Sequence, residues 1–243
     1  MQKPLLFASD LHLSPDRPQS TAAFLAFCAG PARNAQAVYL LGDLFDWWIG
    51  DDQLRDPFFA RIGDAIRGVA KAGVPVHVAH GNRDFLLGRG FEQATGARLL
   101  REREALDLFG TPTLVSHGDE LCTGDIEYQA YRARIRNPQT QRRLLRLPLF
   151  VRRLIARSLR RKSRDATALK AEAIMDVDGG AVEDAFRSYR VARIIHGHTH
   201  RPATHRLEVD GTVRERIVLA DWHEHGEYVE VDETGVARRT IAG

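Results

Sequence analysis

The sequence predicts an α/β fold in which one edge of a parallel sheet gathers ligand-binding side chains. Short apolar runs alternate with segments of helical periodicity, and this alternation favours a parallel sheet covered by helices. Five of those runs end in a small polar cluster that contains glycine. The length of 243 residues, with 44% hydrophobic and 28% charged residues, suits a large buried core and excludes intrinsic disorder and collagen-like repeats.

The elements follow one another in a regular order. The pattern predicts a strand over 5–9, a helix over about 21–29, a strand over 37–41, a helix over about 57–71 that Gly73 ends, and strands over 74–79, 113–116 and 191–195. A basic helical stretch lies between the last two of these strands, over about 125–175. After Pro202, runs over 203–209, 214–219 and 227–231 predict antiparallel strands.

Polar clusters follow five of the predicted strands. They are Asp10-Leu11-His12, Gly42-Asp43, Gly81-Asn82-Arg83-Asp84, His117-Gly118-Asp119 and Gly197-His198-Thr199-His200. Each fragment alone is weak evidence, and a D-x-H triplet by itself is more often a turn with a surface histidine. As an ordered set they should converge, because ligands bind beyond the carboxyl ends of the strands in an open α/β sheet.

The donor types in these clusters indicate a metal site. Carboxylates, imidazoles and an amide oxygen, without a thiolate, favour Mn²⁺, Fe²⁺ or Zn²⁺ in a site with open positions. A set of seven ligands drawn from these clusters is too many for one ion with a free coordination position. They suit two ions about 3.5–4 Å apart that share a bridging carboxylate.

The charge is unevenly distributed. Residues 132–164 contain 13 Lys or Arg and no Asp or Glu, whereas the remainder of the chain has a balance of −10 within a net charge of +3. Within this basic segment an apolar stripe is flanked by arginines, as in an interfacial helix. The stripe is Phe150, Val151, Leu154, Ile155 and Leu159, and the arginines are Arg152, Arg153, Arg157, Arg160 and Arg161. An anionic partner is therefore expected, with a solvated helical face as the alternative.

Two cysteines, Cys28 and Cys122, exclude a disulfide framework and a cysteine-rich zinc module, and they fit a reducing cytosol. The N-terminus lacks the long apolar region of a secretory signal. No window approaches the roughly 18 apolar residues of a membrane span. The expected location is the cytoplasm, including the surface of a membrane.

The ordered motifs resemble those of the calcineurin-like metallophosphoesterase superfamily. This resemblance implies two packed mixed β-sheets flanked by helices, in one domain over 1–243 that a helical cap interrupts at about 125–175. It also implies that one metal is held by Asp10, His12, Asp43 and His200, and that Asn82, His117 and His198 complete the second site. Asp43 would bridge the two ions, which are expected to be Mn²⁺.

Further runs resemble the UDP-2,3-diacylglucosamine pyrophosphohydrolases of lipid A biosynthesis. They are Leu41–Phe45, Trp48–Asp52, His80–Gly88, Leu121–Thr123, Leu147–Arg152, Ala173–Val177 and His196–Pro202. The implied reaction converts a lipid-linked UDP-sugar to UMP and 2,3-diacylglucosamine 1-phosphate through hydroxide attack on the α-phosphorus at a two-metal centre. The implied setting is the cytoplasmic face of the inner membrane, without nucleic acid or an obligate protein partner.

The same resemblance assigns roles to individual residues. Arg83, Asp43 and His198 would be catalytic, and Asn82, Arg83 and His198 would also contact the substrate. Many superfamily members have histidine where this chain has Arg83; arginine stays protonated and cannot serve as a general acid. A phosphate monoester leaving group does not need one, so Arg83 would stabilise charge on the pyrophosphate. In the cap, the substrate contacts would be Asp125, Ser163, Thr167 and Lys170, although Thr167 replaces an asparagine of related sequences.

Two other functions fit some of the same features. A phosphodiesterase or nuclease of the same superfamily would use the metal site on another phosphoester. A non-catalytic protein could keep the fold and use the basic segment for a membrane or nucleic acid. An apolar chamber beside the metals would favour the lipid substrate, and retention of all seven donors favours catalysis.

Overall fold

The structure is a computed structural model that describes residues 2–169, 176–223 and 225–241, with the side chains of 160–169 left out. Within these ranges the chain forms eleven strands and seven α-helices. The strands are β1 Leu5–Ala8, β2 Ala37–Leu41, β3 Val76–Ala79, β4 Arg98–Leu99, β5 Arg103–Leu108, β6 Thr111–Ser116, β7 Arg193–His196, β8 Ala203–Val209, β9 Thr212–Val218, β10 Gly226–Asp232 and β11 Gly235–Ile241. The helices are α1 Pro18–Ala29, α2 Pro57–Lys71, α3 Arg89–Thr95, α4 Ile126–Arg136, α5 Pro138–Leu145, α6 Leu149–Leu169 and α7 Gly179–Tyr189.

The strands form two mixed sheets. The first has the order β11-β10-β1-β2-β3-β4. Strands β1 to β4 are parallel to one another, β10 pairs antiparallel with β1, and β11 pairs antiparallel with β10. The second has the order β5-β6-β7-β9-β8, with β6, β7 and β9 parallel and antiparallel strands at both edges. The expected α/β fold with two mixed sheets is confirmed.

Three apolar clusters hold the layers together. Side chains of both sheets meet between them, among them Phe7, Leu41, Val115 and Ile195. Helices α1, α2 and α3 cover the outer face of the first sheet, and α7 covers the outer face of the second. The strands are short and buried on both faces, which explains why they read as continuous apolar runs in the sequence.

Helix α2 shows how local sequence sets an element. The Asp56 side chain accepts a hydrogen bond from the backbone N–H of Phe58 (3.1 Å), and Pro57 occupies the first turn. Its buried side chains recur at helical spacing: Phe59, Ile62, Ile66 and Val69. The predicted bounds of α2 and β2 are confirmed, whereas α1 begins three residues earlier than predicted and β3 begins two residues later.

Helices α4, α5 and α6 lie between β6 and β7 in the chain, within the predicted basic helical stretch. On α6, Phe150 and Leu154 are 65% and 61% exposed. The prediction that Arg152 belongs to the exposed polar face is wrong, because this side chain is buried and pairs with Asp52. Among the helices of the described residues, none has the length and apolarity needed to span a bilayer.

Candidate metal centre

The predicted ligands follow the carboxyl ends of β1, β2, β3, β6 and β7, and five of the seven adopt an unusual backbone conformation. Of the eight non-glycine residues with positive φ in the described part of the chain, five are predicted ligands: Asp10 (56°), His12 (49°), Asp43 (50°), His198 (70°) and His200 (54°). This left-handed conformation is costly for residues with a Cβ and clusters at functional sites. The loops therefore hold these side chains in an orientation that a relaxed turn would not give.

Glycine allows two of the loops to approach each other. Gly42 has a φ of 90°, and a Cβ there would lie 2.6 Å from Nδ1 of His117. A Cβ on Gly81 would collide with the carboxylate and the backbone nitrogen of Asp43. The G-D and G-N dipeptides of the sequence are thus needed for close packing of the loops that carry Asp43 and Asn82.

A first group of donors consists of Asp10, His12 and His200. Nε2 of His200 lies 3.2 Å from Oδ1 of Asp10 and 3.3 Å from Nε2 of His12. Nε2 of His12 lies 3.9 Å from Oδ1 of Asp10, and Nδ1 of His12 lies 3.8 Å from Oδ2 of Asp43. One ligand atom from each of Asp10, His12 and His200 falls within a 4.8 Å cluster that could hold a metal ion.

A second group surrounds Asn82. Its Oδ1 lies 3.0 Å from Nε2 of His117 and 3.1 Å from Nδ1 of His198. Oδ1 of Asp43 lies 3.9 Å from Nε2 of His117, and the trio Asp10, Asp43 and His117 also forms a possible metal cluster. Asp10 and Asp43 therefore stand between the two groups.

The donor set fits divalent metal ions. Asp10 and Asp43 are almost fully buried, and burying two carboxylates is costly without positive charge beside them. The Nε2 atoms of His12 and His200 face each other, and the buried Nδ1 of His12 has no hydrogen-bond partner among the described residues. Cations between these groups would satisfy the facing lone pairs and neutralise the carboxylates.

Further contacts orient the ligands. Nδ1 of His117 donates to the carbonyl oxygen of Leu41 (2.9 Å), which leaves Nε2 facing the site. Nδ1 of His200 lies 3.6 Å from Oδ2 of Asp221. Asp84 accepts from the backbone N–H groups of Gly81 (2.7 Å) and Leu44 (2.8 Å), so it ties the second and third loops together.

Electrostatics within the site reflect its excess of buried carboxylate. Burial opposes the imidazolium form of His117, but the charges of Asp43 and Asp10 outweigh burial and raise the pKa of His117 to about 9. Burial, and then the positive charge of His117, lowers the pKa of His198 to about 4. Burial and the neighbouring Asp43 raise the pKa of Asp84 to about 7. A divalent cation would compete with the proton on His117, so metal affinity should depend on pH.

Arg83 lies beside Asp43, one of the predicted metal ligands. Its backbone N–H donates to Oδ1 of Asp43 (2.8 Å), and its Nε lies 3.4 Å from Oδ2 of the same residue. Its Nη1 donates to the buried Asp46 (2.8 Å), and about a third of the arginine side chain is exposed. The guanidinium is thus held by two carboxylates at the mouth of the site.

The predicted substrate contacts in the helical stretch are only partly described. Asp125 caps α4 by accepting from the backbone N–H of Tyr128 (3.0 Å). The side chains of Ser163 and Thr167, and the whole of Lys170, lie outside the described residues. Their predicted roles therefore stay predictions.

Sequence reasoning did not single out several residues that shape the site. Asp46, Asp84 and Asp119 lie within or next to the quoted motifs, but their role depends on partners 9 to 41 positions away. His77 stacks on Tyr39 with ring centroids 4.8 Å apart. Trp48 and Trp222 are buried in the core.

Comparison with known proteins agrees with this geometry. The calcineurin-like phosphoesterase family model matches residues 3–202. Two relatives are named UDP-2,3-diacylglucosamine hydrolase, one from Klebsiella pneumoniae subsp. pneumoniae and one from Escherichia fergusonii. Each is 49% identical over 226 residues, which cover 93% of this chain and 94% of the relative.

Solved structures share the fold at much lower identity. An archaeal phosphodiesterase superposes with a TM-score of 0.50 at 12% identity, covering 98% of this chain and 99% of the other. A dimetal phosphatase from Danio rerio gives a TM-score of 0.50 at 14% identity, covering 99% of both chains. These similarities support the two-sheet architecture.

Proposed function

The chain belongs to the calcineurin-like phosphoesterase family, and from this premise we propose that it hydrolyses the pyrophosphate bond of UDP-2,3-diacylglucosamine to UMP and 2,3-diacylglucosamine 1-phosphate. The observation that carries the proposal is the convergence of the seven predicted metal ligands in a chain 49% identical to relatives named for this substrate. The similarity extends over 93% of the chain, so it includes the helices that follow β6 as well as the metal loops.

The proposed cofactor is a pair of divalent cations, with Mn²⁺ the expected ion. Asp10, His12 and His200 would hold one, Asn82, His117 and His198 the other, and Asp43 would contact both. Bound ions would supply Lewis acidity to the phosphoryl oxygens and acidify a water molecule. Each group offers two imidazoles, but the first adds the carboxylate of Asp10 and the second the amide oxygen of Asn82. The two positions therefore need not have equal affinities.

Arg83 would stabilise the negative charge that develops on the pyrophosphate. Asp46 and Asp43 fix the position of its guanidinium. A fixed cation requires little reorganisation during the reaction, which is the main source of electrostatic catalysis. Attack at the α-phosphorus would place the new oxygen on UMP and leave the lipid sugar with its phosphate.

The predicted cap over about 125–175, which includes α4–α6, would bind the sugar and the acyl chains through Asp125, Ser163, Thr167 and Lys170. The exposed Phe150 and Leu154 lie near the start of α6. Together with the nearby arginines they would rest on an anionic lipid surface, on the cytoplasmic face of the inner membrane.

Hydrolysis in ¹⁸O-labelled water with phosphorus NMR tests the reaction. The expected products are UMP that carries one ¹⁸O and unlabelled 2,3-diacylglucosamine 1-phosphate. Label in the sugar phosphate would overturn attack at the α-phosphorus. Turnover of an aryl phosphodiester or of DNA that equals turnover of the lipid substrate would overturn the substrate assignment and favour a general phosphodiesterase.

Metal dependence has its own test. Chelation should abolish activity and lower the melting temperature, and Mn²⁺ should restore both, because an ion that binds only the folded state stabilises it. Full activity after exhaustive chelation would overturn the metal-dependent mechanism.

A further inference from the structure

Helix α4 points three polar side chains at one buried carboxylate. Asp119 has no exposed surface. It accepts hydrogen bonds from Oη of Tyr128 (2.8 Å), Nε of Arg132 (2.8 Å) and Nη2 of Arg136 (3.2 Å). The three donors are spaced four residues apart and therefore share one face of the helix.

The same helix face reaches the three chain segments that carry Asn82, His117 and His198. Asp119 follows His117 by two residues, so its hydrogen bonds fix that loop. Nη2 of Arg136 also lies 3.4 Å from the carbonyl oxygens of His80 and Gly81, directly before Asn82.

Tyr128 supplies the third contact. Its ring lies nearly parallel to the imidazole of His198, with centroids 5.8 Å apart and an interplanar angle of 27°. By contrast, no hydrogen bond or ion pair within the described residues joins α4 to Asp10, His12 or His200. The helix therefore contacts the surroundings of one group of ligands and not the other.

We propose that Tyr128, Asp119 and Arg136 are positioning residues that adjust the affinity of the second metal subsite, formed by Asn82, His117 and His198. This inference rests on the two-ion centre of the proposed function. Contacts that orient metal ligands typically change affinity by about 10–100-fold when they are removed. Loss of the helix contacts should weaken the second subsite and leave the first intact.

The inference also gives a role to two cations of the basic segment. Besides Asp119, Arg132 pairs with Glu102, and Arg136 lies 3.7 Å from a carboxylate oxygen of the same glutamate. Both arginine side chains are largely buried. Their charge is therefore used within the protein to join α4 to the metal loops.

Mn²⁺ titration of the full chain, followed by the EPR signal of the free ion, tests the proposal. The wild type should bind two ions. Arg136→Met and Tyr128→Leu should each weaken one site by about 10–100-fold and leave the other unchanged. Arg134→Met is the matched control, since Arg134 lies on the exposed side of the same helix, and it should bind both ions as the wild type does.

Tyr128→Phe separates orientation from general stability. It keeps the ring beside His198 and loses only the hydrogen bond to Asp119, so it should retain more second-site affinity than Tyr128→Leu. Circular dichroism verifies that each variant is folded, and the two positions provide independent tests if one variant does not fold.

Two results would overturn the inference alone: unchanged affinities in both variants, or equal weakening of both sites. A wild-type chain that binds fewer than two ions would instead overturn the two-ion centre of the proposed function. The two failures are therefore distinguishable.

Discussion

Asp46 should control catalysis through Arg83, and Asp46→Leu tests this directly. Asp46 is 4% exposed, and its Oδ1 lies 2.8 Å from Nη1 of Arg83. The variant removes the charge and both acceptor oxygens at similar side-chain size, so the guanidinium keeps its longer contact to Asp43 at 3.4 Å and loses the one to position 46. Because that contact leaves Nη1 unrestrained, the guanidinium should spend less time in the position proposed to stabilise the pyrophosphate.

The size of the effect follows from the geometry. A hydrogen bond to a charged group contributes about 1.5–3 kcal/mol. The upper part of this range does not apply here, because a third of the Arg83 side chain is exposed to water. About 1.5–2 kcal/mol lost from the transition state corresponds to roughly a 10- to 30-fold fall in kcat. Arg83→Ala removes the cation itself and should cost more, about 100-fold or above.

Steady-state release of UMP from the lipid substrate in detergent, measured with saturating Mn²⁺, gives kcat and KM for both single variants and for the double variant. If Asp46 acts only by holding Arg83, then the double variant should be no slower than Arg83→Ala. Asp64→Asn is the control, because it breaks an exposed aspartate–arginine pair on α2 at the surface. It should leave kcat unchanged.

Two results would refute this reasoning. Losses that multiply in the double variant would show that Asp46 acts independently of Arg83. A parallel loss of bound Mn²⁺ and of kcat in Arg83→Ala would show that Arg83 maintains Asp43 and the metal site instead of acting on the substrate.

Arg152→Met should lower the free energy of unfolding in urea by about 2–3 kcal/mol, because it breaks the ion pair with Asp52. The loss should be smaller than for a fully buried pair, since Asp52 is one-third exposed. An unchanged urea midpoint would contradict this. Gly81→Ala should weaken Mn²⁺ binding at least about 10-fold, because the added methyl group collides with the carboxylate of Asp43. Gly179→Ala adds a methyl group in open space and should bind normally. Burial, and then the charge of a nearby arginine, lowers the pKa of His77 below 6.5. The neutral His77 side chain therefore contributes its full stabilisation above pH 6.5, and this stabilisation is lost as pH falls through the folded-state pKa. The unfolding free energy of metal-free His77→Phe should therefore fall less than that of the wild type between about pH 7.5 and about pH 5, and parallel curves would argue against this.

The convergence of the metal loops could be predicted because it follows from local rules. Short buried strands read as apolar runs, and parallel strands bring their carboxyl ends to one edge of a sheet. Two edge strands were harder to see. Strand β5 of the second sheet and strand β11 of the first contain several charged residues and lie at sheet edges, where one side faces water, so neither forms an apolar run.

The supporting contacts could not be predicted, because they join distant residues through single hydrogen bonds. Nothing in the sequence around Asp119 distinguishes a surface carboxylate from one that receives three donors of α4. The positive φ of Asp10, His12 and Asp43 is equally hidden, because no glycine or asparagine marks these positions. Such features arise only when the packed loops and helices impose them.

The basic segment shows where a charge count is insufficient. A segment with 13 cations and no anions on an acidic body predicts an external anionic partner, yet Arg132, Arg136, Arg152 and Arg153 all pair with carboxylates of the body. Part of the asymmetry is therefore complementarity within the molecule, which attaches the inserted helices beside the metal loops. The cations to assign to substrate phosphates or to a lipid surface are those on exposed positions, such as Arg157, next to the exposed Leu154. This division explains how one segment can be anchored to the body of the protein and still present charge to an anionic partner.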